Sequence, residues 1–307
     1  MRTFFLLFLL CSSLFLTAGT FATSQVLGQN QTVYSLQIQG IAWDRTVLKI
    51  LLVPPINKSW WNPMYINSTL RAIGQWNDAI QSFSTTYTNY AYLSFLKLEP
   101  TVSNHTQPGY DIDLNWTPGT LQNTSDEIGL TTLSSESNTI TACTVNLATH
   151  TSHGDALVDG DAQNIALHEL GHSLGLGHSN DSGDVMFPAY SLLGSARAIS
   201  TLDAYGVAST FAWMSNQFKF YPVSEWLKGS PVVLPLNIKY NYLPVSAQNA
   251  RPQTLQNNAI IQTLVLMVEI LIHPDILAVV IFFIGILVIV ALIPTRKSKK
   301  PKPKAAS

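Results

Sequence analysis

The motif HELGHSLGLGH, which begins at His168, contains three of the seven histidines in the chain. His168 and His172 are four residues apart, so on a helix they share one face and can bind the same metal ion. Glu169 can reach a water molecule on that ion without binding the ion itself. If the helix ends at Gly175, His178 can turn back as a third ligand. Three neutral nitrogen ligands with an open fourth position are typical of catalytic zinc, whereas structural zinc usually has four protein ligands.

The residues around the motif favour a helix of the required length. Asp161 is a candidate N-cap, and residues 162–174 follow as the helix. Gly175 and Gly177 then allow the chain to turn. The pattern HExxH by itself occurs by chance in many sequences. The glycine and the third histidine at this spacing make the signal specific for a metal site.

The elements expected to support this helix lie earlier in the chain. Apolar residues at helical spacing predict a helix over residues 68–83, with Asn67 or Ser68 as its cap. Short β-type runs predict strands at residues 45–53, 93–98, 110–116, 128–133 and 139–147. A strand, a helix, several strands and then a helix form an α+β layout.

The spacing HExxHxxGxxH resembles the zinc signature of the metzincin endopeptidases. Ser179 directly after the third histidine, and the turn MFPAY from Met186 to Tyr190, are similar to the matrixin branch, the relatives of the matrix metalloproteinases. The resemblance covers roughly residues 32–214. It implies one catalytic Zn²⁺, a methionine turn beneath the ion, and a substrate-pocket wall that includes Pro188 and Tyr190. The implied metal ligands are His168, His172 and His178, with Glu169 as general base and then general acid.

The same resemblance implies the fold and the substrate. The expected domain is a metzincin-type zincin, an α+β fold with a twisted mixed sheet, the active-site helix and a C-terminal helix at residues 203–214. By this analogy the strand at residues 128–133 is an edge strand, to which an extended peptide would add through main-chain hydrogen bonds. The expected reaction is hydrolysis of peptide bonds in protein or peptide substrates.

Other interpretations stay open. A non-catalytic, zinc-stabilised surface module for binding or adhesion could keep the fold without turnover, although Glu169 argues against this. A hydrolase of some non-peptide bond is a further alternative. A second, structural metal could bind before the active-site helix, where a solvated acidic loop is the favoured interpretation; the residues concerned are His150, His153, Asp155, Asp159 and Asp161.

Both ends of the chain resemble targeting segments. Residues 1–22 have a short basic start and an apolar run, as expected of a secretory signal peptide, which we favour over a retained anchor. Residues 276–293 are apolar and uncharged, and six cations follow within residues 294–307. This pattern predicts a single transmembrane helix with a cytoplasmic tail and an extracellular catalytic domain, anchored in the cell membrane.

Two segments connect the domain to this helix. Residues 215–258 contain several prolines and polar stretches, which suit either a stalk or a small β appendage. Residues 259–275 are also apolar and predict an interfacial or partly embedded lead-in helix, with a two-span hairpin as the alternative.

Charge and cysteine content limit the partners and the covalent chemistry. Without the six cations of the tail, eleven basic residues face eighteen acidic ones, which argues against a nucleic-acid partner. Cys143 is the one cysteine outside the signal peptide, so no internal disulfide is expected. The oligomeric state stays open. Seven Asn-x-Ser/Thr sequences are candidate glycosylation sites, at Asn30, Asn57, Asn67, Asn104, Asn115, Asn123 and Asn180.

Overall fold

A computed structural model describes residues 33–121, 127–193, 197–221, 223–227 and 230–250. The predicted signal peptide, lead-in helix, transmembrane helix and basic tail lie outside the described residues, as do Asn30 and Asn123. Within the described ranges, no helix has both the length and the apolar character needed to cross a bilayer.

The described residues form eight strands and four helices. The strands are β1 (Ser35–Ile38), β2 (Val47–Leu52), β3 (Lys97–Val102), β4 (Ile112–Thr117), β5 (Gly129–Glu136), β6 (Thr139–Ala148), β7 (Leu176–Ser179) and β8 (Val232–Val233). The helices are α1 (Met64–Thr86), α2 (Asp159–Ser173), α3 (Thr201–Thr210) and α4 (Val223–Trp226), with 3₁₀ turns at Thr88–Phe95 and Ala212–Ser215.

A five-stranded mixed sheet forms the centre of the fold. Its strand order is β3-β2-β4-β6-β5, and all neighbours are parallel except β5, which runs antiparallel to β6. The sequence VLKILL of β2 is almost continuously apolar and is buried along most of its length, as expected of an inner parallel strand. The expectation of a fold of helices and strands with a mixed sheet is therefore confirmed, and β5 is an edge strand, as is β3 at the opposite end.

Helices α1 and α2 pack against each other beside this sheet. Trp76 of α1 is fully buried between them, and its indole N–H donates to the carbonyl oxygen of Leu167 on α2 at 3.0 Å. In the same way, the indole N–H of Trp43 donates to the carbonyl oxygen of Ser173, the last residue of α2, at 2.8 Å. Full burial of each large apolar side chain stabilises such a core by about 1.5–3 kcal/mol. The helix that carries the metal motif is thus held at its middle and at its C-terminal end.

Several predicted boundaries differ from the structure, and four of these concern the helices and strand β3. Helix α1 begins at Met64, one turn before the predicted caps Asn67 and Ser68. The predicted strand at residues 93–98 starts too early, because Leu93 belongs to a 3₁₀ turn and β3 begins at Lys97.

The other two concern the helix that carries the motif and the helix that follows it. Helix α2 begins at Asp159, so Asp161 lies in its first turn instead of capping it. The C-terminal helix α3 is shorter than residues 203–214 and is capped by Ser200, which forms a capping box with Asp203.

The end of the described chain returns to the domain. Strands β7, β1 and β8 form a small sheet, in which β1 pairs antiparallel with both neighbours. Leu234, Ile238 and Leu243 are buried in the common core. Up to residue 250, the segment that we predict as a stalk or a β appendage therefore packs on the domain.

Candidate metal centre and substrate cleft

The structure brings the three histidines of the motif to one point. His168 and His172 project from the same face of α2, and His178 lies on β7, directly after the turn. One ligand nitrogen from each ring lies within 4.8 Å of the other two, which is close enough for one ion. The turn depends on Gly175, whose φ of +90° favours glycine and whose Cβ position would touch Thr210 and a backbone oxygen.

The hydrogen bonds of the two helical histidines fit a metal site. Nδ1 of His168 bonds to the carbonyl oxygen of Val185 at 2.8 Å, and Nδ1 of His172 to that of Leu176 at 2.9 Å. A carbonyl only accepts, so each Nδ1 carries the proton and each Nε2 presents a lone pair. The two Nε2 atoms are 3.0 Å apart, an arrangement that a shared cation stabilises. A hydrogen bond from the nitrogen that does not face the ion orients a metal-binding imidazole.

Burial keeps these imidazoles neutral. It lowers the pKa of His168 to about 3, with the neighbouring His172 contributing further. It also lowers the pKa of His172 and of His178, although His178 is the exposed member. Neutral imidazole is the form that binds a metal. The donor set of three neutral nitrogens therefore fits Zn²⁺ with one open position.

Glu169 is a buried carboxylate beside the histidines. Only 5% of its surface is exposed. Thr131 of β5 donates its hydroxyl to Oε2 at 2.7 Å. On the other side the carboxylate lies against Gly129, where a Cβ would overlap with it. Burial raises the pKa of Glu169 to about 7, against the opposing effect of the Thr131 hydrogen bond and with a further increase from Glu127.

A cleft of about 540 Å³ extends along the histidines and Glu169. Strand β5 forms one side through Gly129, Leu130 and Thr131, and the turn after β7 forms the other side, which includes the predicted wall residues Pro188 and Tyr190. Ala148 N donates to the carbonyl of Ile128, so alternate residues of β5 bond to β6. The intervening residues Gly129 and Thr131 therefore direct their backbone groups away from the sheet, towards the cleft.

Met186 lies below this cleft. Its side chain is fully buried and packs against Gly171 of α2, where a Cβ would overlap with the sulfur. Its backbone N–H donates to the carboxylate of Asp184 at 2.8 Å. The thioether thus lies directly against the residue that precedes His172.

Sequence reasoning missed three residues that shape the cleft. Thr131 lies on the predicted edge strand, but nothing in the strand pattern indicates that it contacts Glu169. Asn164 donates to the hydroxyl of Tyr190 at 2.9 Å. Arg197 donates to the carbonyl oxygens of Asp184 and Ala189 and lies 5.4 Å from the centre of the Tyr190 ring. A basic residue shortly after the methionine turn was the only signal for Arg197.

Two of the carboxylates considered for a second metal, Asp159 and Asp161, bind protein groups. Asp159 pairs with Arg71 and accepts from Ser68, and Asp161 accepts from the hydroxyl of Tyr190. Over the ranges that the structure describes, only the histidines of the motif gather three metal-binding side chains.

The described candidate glycosylation sites differ in exposure. Asn57, Asn67 and Asn104 are exposed, and Asn115 on β4 is half-buried. The exposed Asn180 uses its amide for hydrogen bonds to the backbone of residues 33 and 35.

Residues 97–212 match the model of the family described as Matrixin. The matched segment begins with β3 and includes the edge strand, helix α2, all three histidines and Met186. This match confirms the resemblance inferred from the motif. Over residues 97–212 the chain is thus similar to a matrixin metalloprotease domain of the metzincin class.

Proposed function

We propose that this protein is a zinc-dependent endopeptidase. The observation that carries the proposal is the position of Glu169, which lies buried on the helix of His168 and His172 and faces a cleft with a free strand edge. A protein that only used zinc for stability would have no need of a buried carboxylate there. The matrixin match supports a metalloprotease in general.

The metal ligands would be His168, His172 and His178. A zinc ion held there would supply a bound water with a pKa of about 7 and a Lewis acid for the carbonyl of the scissile bond. Proton transfer and substrate positioning would be carried out by residues of the protein.

Glu169 is suited to move a proton in both directions. Its pKa of about 7 lets the carboxylate accept a proton from the attacking water and later release it to the departing amine. Thr131 holds Oε2 and thereby fixes the orientation of the carboxylate. Because Glu169 is buried, bulk water has little access to the proton that its carboxylate accepts.

The edge of β5 is suited to bind an extended peptide. The backbone groups of Gly129 and Thr131 point towards the cleft, and a substrate strand can pair with them. The same two residues touch Glu169, so a peptide bound at this edge lies beside the general base. Pro188 and Tyr190 would then contact a substrate side chain from the opposite wall.

Substitution Glu169→Gln tests the proposal. Purified wild-type and variant proteins are compared for zinc content and for cleavage of casein, with and without a chelator. We expect equal zinc in both proteins and a loss of about 10²–10⁴-fold in the rate of the variant. Normal cleavage by a zinc-loaded variant contradicts the mechanism, and zinc without any wild-type cleavage favours the binding-module alternative.

We also propose, from the sequence alone, that the domain is extracellular and anchored in the cell membrane by residues 276–293. Carbonate extraction of cell membranes is the appropriate measurement. Recovery of the intact chain in the soluble fraction would contradict the anchor.

A further inference from the structure

A segment near the end of the described chain, residues 245–250, crosses helix α1 beside Gly74 and Asp78; we call it the strap. Asp78 of α1 accepts two hydrogen bonds from it at one oxygen, from the backbone N–H of Ser246 and from the side-chain amide of Asn249, both at 2.9 Å. The side chain of Asn249 lies directly over Gly74, where a Cβ would overlap with it. The strap is thus held by the carboxylate of Asp78, and it can lie this close to α1 because Gly74 has no side chain.

A series of amide hydrogen bonds connects the strap to the helix of the metal motif. Gln163 on α2 donates to the backbone oxygen of Asn249 at 3.2 Å and to the side chain of Gln75 at 3.3 Å. Gln75 donates to the backbone oxygen of Arg197 at 3.4 Å. Both glutamines are only 3% exposed. Buried amides are costly to leave without partners, so loss of the strap disturbs this layer.

The layer ends in the wall of the cleft. Arg197 donates its backbone N–H to Asn164 at 3.0 Å, and Asn164 donates to Tyr190, the predicted pocket residue. Arg197 and Asn164 also line a second pocket of about 160 Å³, to which Val245 and Ala250 of the strap contribute as well. Because Arg197 and Asn164 line both the cleft and this second pocket, their side chains lie between the two.

We infer that the strap is a specificity-determining element of the peptidase site, because it holds the inner wall of the substrate pocket from behind. With the strap in place, the wall limits the depth of the pocket. When the strap is displaced, Gln163 loses a partner, the wall relaxes and the cavity behind it joins the pocket. The pocket then accepts longer substrate side chains. The inference rests on the proposed peptidase function, since the occupant of the pocket is a side chain of the peptide.

The test uses the full chain with substitutions remote from the histidines. Gly74→Ala places a methyl group under the strap, and Asp78→Ala removes the shared acceptor. Asp78→Asn is the matched conservative variant, since its amide oxygen can accept both bonds. Gly119→Ala is the control for the glycine substitution, because a Cβ there meets nothing within 4 Å.

Two readouts are measured. The first is kcat/KM for two peptides that differ only in the side chain directly after the scissile bond, leucine in one and homophenylalanine in the other. The second is hydrogen exchange of the strap and of residues 197–199, which needs no substrate. An added group in an apolar pocket changes selectivity by about tenfold or more, so we expect a shift of this size towards the longer side chain.

The expected pattern is faster exchange at both segments together with the selectivity shift in Gly74→Ala and Asp78→Ala. Asp78→Asn and Gly119→Ala should behave as the wild type does. Faster exchange with unchanged selectivity overturns the inference, and so does unchanged exchange in both displacing variants. In either case wild-type cleavage persists and the proposed function stands. Absence of wild-type cleavage of casein and of both peptides would instead reject the peptidase, and with it the specificity role.

Discussion

The hydrogen bond between Thr131 and Glu169 makes a quantitative prediction. Thr131→Val keeps the shape of the side chain but removes the hydroxyl that donates to Oε2 at 2.7 Å. This bond favours the ionised carboxylate, so its loss raises the pKa of Glu169 further above the ordinary value. The variant should therefore need a higher pH before its general base is ionised.

The size of the shift follows from the burial of the acceptor. A hydrogen bond to a charged group contributes about 1.5–3 kcal/mol, and Glu169 is shielded from water that could replace the hydroxyl. Because one pKa unit corresponds to about 1.36 kcal/mol, the acidic limb of the pH profile should move up by about one to two units. On that limb, activity at a given pH should fall by about ten- to a hundredfold.

The assay is kcat/KM for one peptide between about pH 5 and pH 9, since this ratio reports ionisation in the free enzyme. The matched control is Thr132→Val, because Thr132 is exposed and successive side chains of a strand point to opposite faces. The reasoning fails if Thr131→Val binds zinc normally and the acidic limb of its pH profile coincides with that of the wild type. The hydroxyl would then have no effect on the pKa of Glu169.

Two further predictions concern the support of the site. Gly171→Ala should lower the urea midpoint of unfolding, since overlap with Met186 costs about 1–3 kcal/mol, whereas alanine in an unobstructed helix stabilises; a raised midpoint, or an equal fall in Gly119→Ala, would contradict the packing. Burial and the facing Asp184 raise the pKa of Asp203 well above its usual value, so the folded protein holds a proton that the unfolded chain releases, and stability is lost as the pH rises. Asp203→Asn should therefore gain free energy of unfolding relative to the wild type as the pH rises above about 4, the usual pKa of an aspartate in an unfolded chain, and a difference that does not change with pH would refute the assignment.

The local pattern predicted which elements exist better than where they begin. The apolar stripe of α1 indicates a helix because its side chains recur at helical spacing. The start at Met64 was missed, although Asn62 accepts the backbone N–H of Met64 at 2.9 Å, because Asn67 and Ser68 also offered cap side chains closer to the stripe. The apolar residues Leu93 and Leu98 suggested one strand. Leu93 instead points into the core from a 3₁₀ turn, because the end of α1 and the start of β3 must be joined there.

The sequence by itself determined the histidine cluster, because all the residues that form it lie within one turn-terminated helix and the strand directly after it. Spacing on a helix and the positive φ of Gly175 are local properties, so they can be read from eleven consecutive residues. The family match at residues 97–212 rests on the same local signal and its surroundings.

Only the tertiary structure decided the environment of that cluster. Thr131 is 38 residues from Glu169, and Gln75 is 122 residues from Arg197, so no periodicity links either pair. Their contacts exist because the sheet brings β5 beside α2 and because residues 245–250 return across α1. The sequence thus specifies which atoms can bind a metal, whereas packing of distant segments sets the pKa of Glu169 and the contacts of residues 245–250 behind Arg197.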